Sequence, residues 1–589
     1  MTSETLPVWS LDDLYPAPDS PLLAEDFARA ESAARQFHDR YAGQMASLDG
    51  EGLAEAVSAF ERIDEVLSRL MSYGQLYYAA DMSNPEIGGF YQSLQERVTV
   101  ISSALVFFTL ELNQISEEAM EAGFASSETL NRYRPWLRDI RIYRPHQLED
   151  SLERLLHEKH VVGRAAWNRL FDETVAALRF PIGGQALTCA EALHVLSEHD
   201  PELRREAGQS IGRVLGQNIR VFSLITNTLA KDKEIEDQWR RYPRPTSARN
   251  LSNRVEDEVV DTLVATVRDS YPSLSHRYYK LKARWMGVER LNSWDRNAPL
   301  PDDDARLIPW SEAQAIVLDA YAQFSPKLAD IGRRFFDNAW IDAPTRPGKA
   351  PGAFAHPTVP SAHPYLLLNY LGRPRDVMTL AHELGHGVHQ CLAAQQGHLL
   401  AETPLTLAET ASVFGEMLTF RALLAREVSP ARRRVLLASK VEDMLNTVVR
   451  QIAMFDFEQR LHSERRQGEL TAERIGALWL ETQTESLGPA ISFDSDYRHY
   501  WSYIPHFVHS PFYVYAYAFG DCLVNALYAC YQEAPDGFAE RYFALLEAGG
   551  TLRHKELLAP FGLDAGDPNF WRRGLVMIGD FIDALEKLG

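Results

Sequence analysis

Two histidines four residues apart frame a glutamate in the segment His382-Glu-Leu-Gly-His386. On an α-helix, side chains four positions apart lie above one another on the same face, so both imidazoles can reach one metal ion. Glu383 sits one step round the helix, where its carboxylate can reach a water molecule at the metal instead of the metal itself. These residue types at this spacing predict a zinc site with a general base, which is the chemistry of hydrolysis.

The flanking sequence predicts that this segment is a helix with one packed face. At about 100° per residue, apolar side chains collect on one side and histidines on the other. The apolar side holds Val377, Leu380, Leu384, Val388 and Cys391, and the opposite side holds His382, His386 and His389. Pro374 and Asp376 favour a first turn, so the helix is expected to begin near them. A surface helix that merely carries three histidines is the alternative.

We expect the third ligand to be a glutamate, because His389 lies only three residues past His386 and too far along the helix to complete a tetrahedron with both histidines. The extended histidine signature fails because position 392 is leucine. Glu402, Glu409 and Glu416 remain, and Glu402 precedes a proline that indicates a loop. Residues 407–418 are predicted to form one helix with Glu409 and Glu416 on the same face. We expect Glu409 to bind the metal, while Glu416 either accepts a hydrogen bond from a ligating histidine or is a solvated carboxylate.

Seven segments, taken in order, place the chain in a known family. They are residues 9–16, 346–354, 365–370, 382–386, 408–412, 504–507 and 511–517. In these segments the chain resembles the M3 family of zinc metallopeptidases, the clan of thimet oligopeptidase and neurolysin, and within it the oligoendopeptidase F branch. The match runs from end to end, and the order of the segments carries more weight than any one of them.

The resemblance implies a zinc-dependent endopeptidase that hydrolyses internal bonds of short, unfolded oligopeptides. One zinc ion per chain would be held by His382, His386 and Glu409, as the spacing already suggests. Glu383 would take a proton from the attacking water and deliver it to the leaving amine.

The resemblance also points to residues that stabilise the negatively charged transition state. His506 and Tyr517 are the donors it implies most strongly, and Tyr513 is a further candidate, although the spacing between histidine and tyrosine differs from that of the thimet branch. Tyr515 is assigned to substrate binding, and the role of His509 stays open. At least one of the three tyrosines is expected only to pack, because neighbouring side chains turn to different faces.

Two short apolar segments, 352–355 and 365–370, are separated by a proline-rich stretch and predict a β-hairpin. Zinc peptidases commonly hold an extended substrate along an exposed strand edge by main-chain hydrogen bonds. Gly352, Ala353 and Phe354 are therefore predicted to contact the peptide. A hairpin with a purely structural role is the alternative, since edge strands often only need covering.

The fold class follows from the dominant 3.6-residue period, which is clear in residues 53–70 and 437–455. We expect a mainly α protein, and the resemblance implies a large zincin-like catalytic domain with a small hairpin or sheet beside the metal helix and a deep substrate channel. A break in the helical period between residues 180 and 200 suggests two domains. The predicted division is a helical amino-terminal domain over 1–195 and a catalytic domain over 196–589.

The composition of the chain limits the classes of binding partner that we expect. The 589-residue chain carries a net charge of −21, and no long basic run offsets it. Because phosphate contacts dominate nucleic-acid binding, a nucleic-acid partner is disfavoured. We expect oligopeptide substrates, and the sequence leaves the oligomeric state open.

The expected compartment is the cytoplasm. The four cysteines are scattered without paired spacing, which argues for a reducing compartment and against a disulfide framework. The first residues carry an acid and no apolar secretory core. The longest apolar run, near residues 98–110, is too short and too interrupted to span a bilayer, so no membrane association is expected.

Two other functions deserve comparison with an endopeptidase. A zinc exopeptidase of the glutamate-ligand class would need an anchor for a free amino terminus, and the Gly-x-Met-Glu-Asn motif of the best-known aminopeptidases in that class is absent. A helical peptide-binding scaffold could keep the metal for stability alone. Glu383 argues against the scaffold, because a structural zinc site has no use for a general base.

Overall fold

Helices make up most of the chain, as the 3.6-residue period predicts. The computed structural model describes residues 5–160, 162–300 and 307–588. In the first half of that chain the α-helices are α1 (Pro21–Tyr41), α2 (Gly50–Ala80), α3 (Pro85–Ser103), α4 (Val106–Gln114), α5 (Glu117–Ser126), α6 (Glu128–Arg132), α7 (Arg134–Arg141), α8 (Asp150–His160), α9 (Arg164–Ala177), α10 (Cys189–Val195), α11 (Pro201–Gln217), α12 (Ile219–Trp239), α13 (Ser247–Ser252), α14 (Asp257–Ser270) and α15 (Ser275–Trp285).

The second half continues in the same way. Its α-helices are α16 (Trp310–Phe324), α17 (Pro326–Asp337), α18 (Pro374–Ala393), α19 (Leu405–Ala408), α20 (Thr410–Arg426), α21 (Pro430–Thr447), α22 (Val449–Arg465), α23 (Ala472–Leu487), α24 (His506–His509), α25 (Tyr515–Glu533), α26 (Phe538–Glu547), α27 (His554–Leu558) and α28 (Pro568–Lys587). Single 3-10 turns or short 3-10 helices occupy Met45–Ser47, Arg144–His146, Tyr271–Ser273, Ser293–Asp295, Ala394–Gln396, Ser495–Tyr503 and Ala559–Phe561. The mainly α prediction is confirmed.

The strands are short and form three small sheets. They are β1 (Phe180–Ile182), β2 (Gln185–Leu187), β3 (Leu291–Asn292), β4 (Ile341–Asp342), β5 (Phe354–His356), β6 (Tyr365–Leu367) and β7 (Ile491–Ser492). β1 pairs antiparallel with β2, and β3 pairs parallel with β7. The third sheet has the order β4-β6-β5, in which β6 runs parallel to β4 and antiparallel to β5.

The predicted hairpin is therefore present, with strands at 354–356 and 365–367 where the sequence indicated 352–355 and 365–370. The sequence did not predict β4, because a two-residue strand leaves no alternating pattern. β5 is an edge strand of its sheet, paired on one side with β6. Its other edge is not paired with a strand of this sheet.

The helical period predicted one helix where the structure has two. Residues 437–455 were expected to form one helix, but α21 ends at Thr447 and α22 begins at Val449. Val448 between them has φ −100° and ψ −68° and interrupts the assigned helix. The apolar positions of the pattern are all buried, so the period predicted the packed face correctly and missed the interruption.

The described residues divide into two compact units. Unit 1 comprises Met1–Arg144, Ala305–Leu423 and Ala534–Phe561, and unit 2 comprises Pro145–Asp304, Leu424–Glu533 and Gly562–Gly589. These units do not coincide with the predicted domains 1–195 and 196–589. The reason is that the amino-terminal stretch joins distant parts of the chain: the Ser10 N–H donates to the Ala339 carbonyl at 3.1 Å, and the Ala350 N–H donates to the Ala79 carbonyl at 2.9 Å.

No single helix within the described residues is both long and apolar enough to cross a membrane. One pair of segments, Pro85–Gln114 and Glu117–Ser126, meets the length and composition test when taken together, with a bend of 100° between them.

Candidate active site

α18 carries both histidines of the motif on a firmly packed helix. It begins at Pro374, and the Asp376 carboxylate accepts the backbone N–H groups of Leu371 and Arg373, each at 2.9 Å. This cap satisfies two donors at the start of the helix and places a negative charge at its positive end. The predicted start is confirmed.

The apolar side of α18 anchors the helix. Val377, Leu380, Leu384 and Val388 are fully buried, as predicted. Burying a side chain of this size contributes roughly 1.5–3 kcal/mol, so the four together hold the helix far more firmly than its polar contacts do. The histidines thus project from a fixed platform.

His382, His386 and Glu409 converge on one point. Their candidate ligand atoms all lie within 4.8 Å of one another. Glu409 Oε2 is 3.4 Å from His382 Nε2 and 3.3 Å from His386 Nε2. All three side chains keep part of their surface open, with exposed fractions of 27%, 19% and 28%. Two imidazole nitrogens and one carboxylate oxygen are a donor set that could hold a divalent metal ion.

Glu409 lies at a helix break, which the sequence did not predict. α19 ends at Ala408 and α20 begins at Thr410, so residues 407–418 are not one helix. The break lies where α20 passes close to α18. A Cβ added at Gly385 would stand 2.5 Å from the Ala411 carbonyl oxygen, so the glycine between the two histidines permits this approach.

Hydrogen bonds then fix the Glu409 carboxylate. The Ser412 hydroxyl donates to Glu409 Oε2 at 2.6 Å, which is the oxygen that faces both imidazoles. The buried Tyr542 hydroxyl donates to the Thr410 carbonyl at 2.9 Å and holds the backbone beside it. Ser412 belongs to a segment that carried the resemblance, whereas Tyr542 lies 132 residues from Thr410 and had no sequence signal.

Glu416 supports His382 from behind. Its Oε2 lies 3.3 Å from His382 Nδ1, so the ring can donate from Nδ1 and leave Nε2 toward Glu409. Such a partner sets the tautomer and orientation of a metal-binding histidine. The structure thus favours the predicted supporting role for Glu416 over that of a solvated carboxylate. Glu402 is exposed and does not belong to the converging group.

The charges at this point suit a cation. Burial would lower the pKa of His382, but its hydrogen bond to the Glu416 carboxylate and the other nearby carboxylates raise it to about 9. Burial would raise the pKa of Glu409, yet the bond with His386 and the two imidazoles bring it down to about 2. The carboxylates of this cluster therefore attract positive charge, and the donor set fits a divalent metal ion.

Glu383 lies beside the edge strand β5. Its carboxylate is buried, burial raises its pKa, and the Ala355 N–H donates to it. Because successive residues of a strand turn their backbone groups to opposite edges, Phe354 and His356 turn theirs toward β6 while Ala355 turns its own outward. The predicted contacts of Gly352, Ala353 and Phe354 with the peptide stay predictions.

The turn before β5 is tied down by buried charges. Lys349 Nζ donates to Asp342 Oδ1 at 2.7 Å and to the Leu368 carbonyl, and Arg346 pairs with both oxygens of Asp342 at 2.7 and 2.8 Å. Gly352, at φ +81°, adopts the left-handed conformation that glycine accepts at no steric cost. This network holds the predicted peptide-binding edge in place.

In unit 2, His506, Tyr513 and Tyr517 form one aromatic cluster. His506 Nε2 is 3.3 Å from the Tyr517 hydroxyl. The Tyr513 ring stacks on His506 with centroids 5.8 Å apart and meets Tyr517 edge-on at 5.3 Å. All three are half-buried, so their polar atoms stay within reach of a ligand. Tyr513, the further candidate among the predicted donors, thus lies in the same cluster as His506 and Tyr517.

Tyr515 is placed differently from the prediction. It is fully buried, and its hydroxyl accepts a hydrogen bond from Asn253 Nδ2 at 2.9 Å. This position does not fit the predicted contact with substrate, and Tyr515 is the packing tyrosine that alternation required. His509 lies on the surface, where its Nε2 is 2.8 Å from Asp172.

The segment that carries Tyr513 is held in a strained shape. Phe512 has φ +59°, a left-handed conformation that costs a non-glycine residue roughly 1–2 kcal/mol. Its N–H donates to Glu458 Oε1 at 2.9 Å, and Arg249 Nε donates to the preceding carbonyl of Pro511 at 3.2 Å. Glu458 is a buried residue that the sequence reasoning missed, because it lies 54 positions from Phe512.

The Glu458 contact predicts a pH effect on stability. Burial raises the pKa of Glu458 to about 8 from its usual 4.5. Between these values the folded chain keeps a proton that the unfolded chain has lost, so stability falls as pH rises through this window and levels off above it. Glu458→Gln cannot ionise. We expect its unfolding free energy relative to wild type to rise by at least about 1.4 kcal/mol between pH 5 and 8, the value of one pKa unit.

Urea unfolding followed by tryptophan fluorescence at pH 5, 6.5 and 8 measures this difference. Glu469→Gln removes an exposed carboxylate from the same unit and serves as the control. A Glu458→Gln difference that stays constant across the three pH values would contradict the assignment.

Comparisons with known proteins agree with this geometry. The model of peptidase family M3 matches residues 194–577, and the model described as oligopeptidase F matches residues 111–180. Their junction lies in the region, 180 to 200, where the sequence suggested a domain boundary.

The chain is similar over its length to characterised bacterial oligopeptidases. Oligopeptidase PepF of Bacillus subtilis is 25% identical over 592 residues, which covers 98% of this chain and 87% of that protein. Group B oligopeptidase PepB of Streptococcus agalactiae is 25% identical over 528 residues, or 87% of each chain. The crystal structure of oligoendopeptidase-F from Enterococcus faecium has the same fold, with a TM-score of 0.73, 23% identity, and coverage of 97% of this chain and 99% of that one.

Proposed function

The chain belongs to peptidase family M3 and is a metallopeptidase, and on this premise we propose that it is a zinc-dependent endopeptidase of short, unfolded oligopeptides. The observation that carries the proposal is the convergence of His382, His386 and Glu409 beside the buried carboxylate of Glu383. A scaffold role would need the three ligands and not the fourth group.

His382, His386 and Glu409 would hold the metal, with Ser412 and Glu416 fixing the orientation of two of them. When bound, zinc supplies an open coordination position and polarises the scissile carbonyl. The residue chemistry supports zinc over magnesium or calcium, because imidazole ligands suit zinc and the other two ions prefer oxygen alone.

Glu383 acts as the general base in this proposal. Its raised pKa keeps the proton affinity of the carboxylate high enough to accept a proton from water and return it to the leaving amine. The extended peptide pairs with the outward edge of β5 at Ala353, which sets its backbone next to Glu383. Positioning of this kind lowers the entropic part of the barrier.

His506 and Tyr517 act on the transition state. The Tyr517 hydroxyl can donate to the oxyanion that develops on the scissile carbonyl, and a donor placed for that charge stabilises the transition state more than the ground state. Burial lowers the pKa of His506, and the charges of Arg450 and His509 lower it further. The neutral ring is therefore the form that lies next to the Tyr517 hydroxyl.

Zinc-dependent cleavage of a doubly blocked peptide tests the proposed function. An internally quenched oligopeptide with acetylated amino and amidated carboxyl termini should be cut internally, and activity should vanish with a chelator and return with zinc. A native globular protein at equal concentration should stay intact, because threading it would cost its stability of about 5–15 kcal/mol. Cleavage that requires a free terminus would indicate an exopeptidase instead, and rapid cleavage of the native protein would contradict the enclosed channel that the resemblance predicts.

Tyr517→Phe separates catalysis from binding. We expect kcat to fall roughly 10²-fold with little change in KM, because one donor to the oxyanion is lost. Tyr515→Phe is the matched control: it removes a hydroxyl that points to Asn253 in the interior, so kcat should stay near wild type. Initial rates over a range of peptide concentrations give both constants, and a Tyr517→Phe effect seen only in KM would reassign the residue to substrate positioning.

A further inference from the structure

Two arginines of unit 2, Arg296 and Arg450, lie within electrostatic reach of each other. Arg296 follows the 3-10 turn at Ser293–Asp295, and Arg450 lies in the first turn of α22. Arg296 Nη1 donates to Asn446 Oδ1 at 2.8 Å, four residues before Arg450. Both arginines are half-buried, so their side chains are neither fully hydrated nor inaccessible.

Neither guanidinium pairs with a carboxylate within the described parts of the chain. Arg450 makes no hydrogen bond there, and Arg296 reaches only Asn446 and Tyr279 through its side chain. The carboxylate of Glu442 is already engaged, by Lys282 Nζ and by the Tyr278 hydroxyl, each at 2.6 Å. Among the residues that the structure describes, a chain with a net charge of −21 thus places no carboxylate at ion-pair distance from either guanidinium.

Two like charges in a half-buried position cost free energy unless an anion joins them. Burial lowers the pKa of Arg450; the Tyr503 phenol opposes that shift, and the charge of Arg296 adds to it. The phenols of Tyr279, Tyr497 and Tyr503 are the largest further electrostatic neighbours of both arginines. Phenol groups can donate to an anion but do not neutralise a cation at neutral pH.

The chemistry of the missing partner follows from the guanidinium group. Its planar fork of N–H donors matches the two oxygens of a carboxylate, and such charge-assisted pairs are about twice as strong as neutral hydrogen bonds. Arg450 also lies within electrostatic reach of His506. The arginine pair is thus next to a residue proposed to act on the substrate.

We propose that Arg296 and Arg450 form a recognition site for a carboxylate of the peptide substrate, beside the His506 and Tyr517 donors. The inference rests on the proposed peptidase function and adds a specificity determinant to it. The carboxylate is either the free carboxyl terminus of the peptide or an aspartate or glutamate side chain, since both present the same two oxygens.

Matched internally quenched peptides distinguish the two sources. All carry an acetylated amino terminus and the same cleaved sequence; one ends in a free carboxylate, one in an amide, and a third set ends in an amide with glutamate replacing glutamine at each position in turn on the carboxyl side. For wild type, kcat/KM should be roughly tenfold or more higher for one charged form than for its neutral match, as expected for hydrogen bonds to a charged group. Preference for the free acid identifies the terminus, and preference for a glutamate peptide identifies a side chain.

Arginine variants assign the preference to this site. In Arg450→Gln the ratio of charged to neutral kcat/KM should fall close to one, while Arg450→Lys should keep part of it, because lysine retains the charge and loses the fork. Arg474→Gln is the control: Arg474 belongs to the same unit, pairs with Glu464 and Glu481 on the surface, and should leave the ratio at the wild-type value.

Equal kcat/KM for charged and neutral peptides in wild type would overturn the proposal, and so would an unchanged ratio in Arg450→Gln. A second measurement does not depend on turnover: fluorescence anisotropy of a tripeptide with a neutral label, as free acid and as amide, should show tighter binding of the acid to wild type and no difference in Arg450→Gln. If wild type cleaves the amide peptide and shows the same kcat/KM for charged and neutral peptides, only the proposed arginine site is refuted. Wild type that binds the acid selectively without cleaving any peptide refutes only the peptidase function.

Discussion

Glu383→Gln is expected to keep zinc bound and to lower kcat by roughly 10²–10⁴-fold, the usual contribution of a general base. Glutamine has nearly the same shape, and its carbonyl oxygen can still accept the Ala355 N–H that the carboxylate accepts now. What it cannot do is take a proton from water. The loss should therefore appear in kcat while the fold and the metal content stay unchanged.

Elemental analysis and circular dichroism on the purified variant supply the necessary controls, because an enzyme that has lost zinc or structure would also be inactive. Turnover of a blocked quenched peptide is then measured for wild type and variant at equal zinc content. Near-normal hydrolysis by the zinc-loaded variant would remove Glu383 from the mechanism. A variant that loses zinc would instead make Glu383 a part of the metal site.

The local patterns of the sequence predicted the platform of the site well. Four of the five predicted apolar positions of α18 are fully buried and the fifth, Cys391, is half-buried, and Pro374 and Asp376 begin the helix. These features depend on residues a few positions apart, which is the range that helical periodicity and capping report. The resemblance to family M3 is confirmed, and it supplied the links between segments that periodicity cannot supply.

The predictions that differ from the structure concern contacts between residues that are distant in the sequence. Residues 407–418 have the sequence pattern of one helix, yet the helix is interrupted at Glu409. Beside this interruption, α20 packs closely on α18 at Gly385. Tertiary contact overrides propensity at such a point. The break turns the Glu409 carboxylate toward the two imidazoles and is part of what makes a ligand set.

The same dependence on contacts between distant residues explains why the sequence reasoning missed some residues. Glu458 holds the strained backbone at Phe512, and Arg296 approaches Arg450 across more than a hundred residues. A single buried glutamate or arginine in a sequence has no pattern around it, so its role appears only when the fold brings its partners together. The compact units differ from the predicted domains for the same reason, since each is assembled from three separate stretches.

Glu409→Gln is expected to weaken zinc binding by more than about 100-fold and to abolish turnover at limiting zinc. Loss of a partner behind a ligand typically costs 10–100-fold in metal affinity, and loss of a ligand's charge should cost more. The Ser412 hydroxyl donates to the Glu409 oxygen that faces both imidazoles. In the glutamine variant, turning the NH₂ group toward the imidazoles would break this hydrogen bond. The neutral side chain would also leave the two histidines without the carboxylate that balances a divalent cation.

Three variants rank the glutamates by role. Competition with a chelator of known affinity measures the zinc Kd of each, and Glu409→Gln should show the largest loss. Glu416→Gln should show a smaller one of about tenfold, because it acts through His382 Nδ1 and its amide oxygen can still accept that N–H. Glu402→Gln removes an exposed carboxylate outside the converging group and should bind zinc like wild type. Full, chelator-resistant zinc in Glu409→Gln together with loss of zinc in either other variant would show that a different glutamate completes the site.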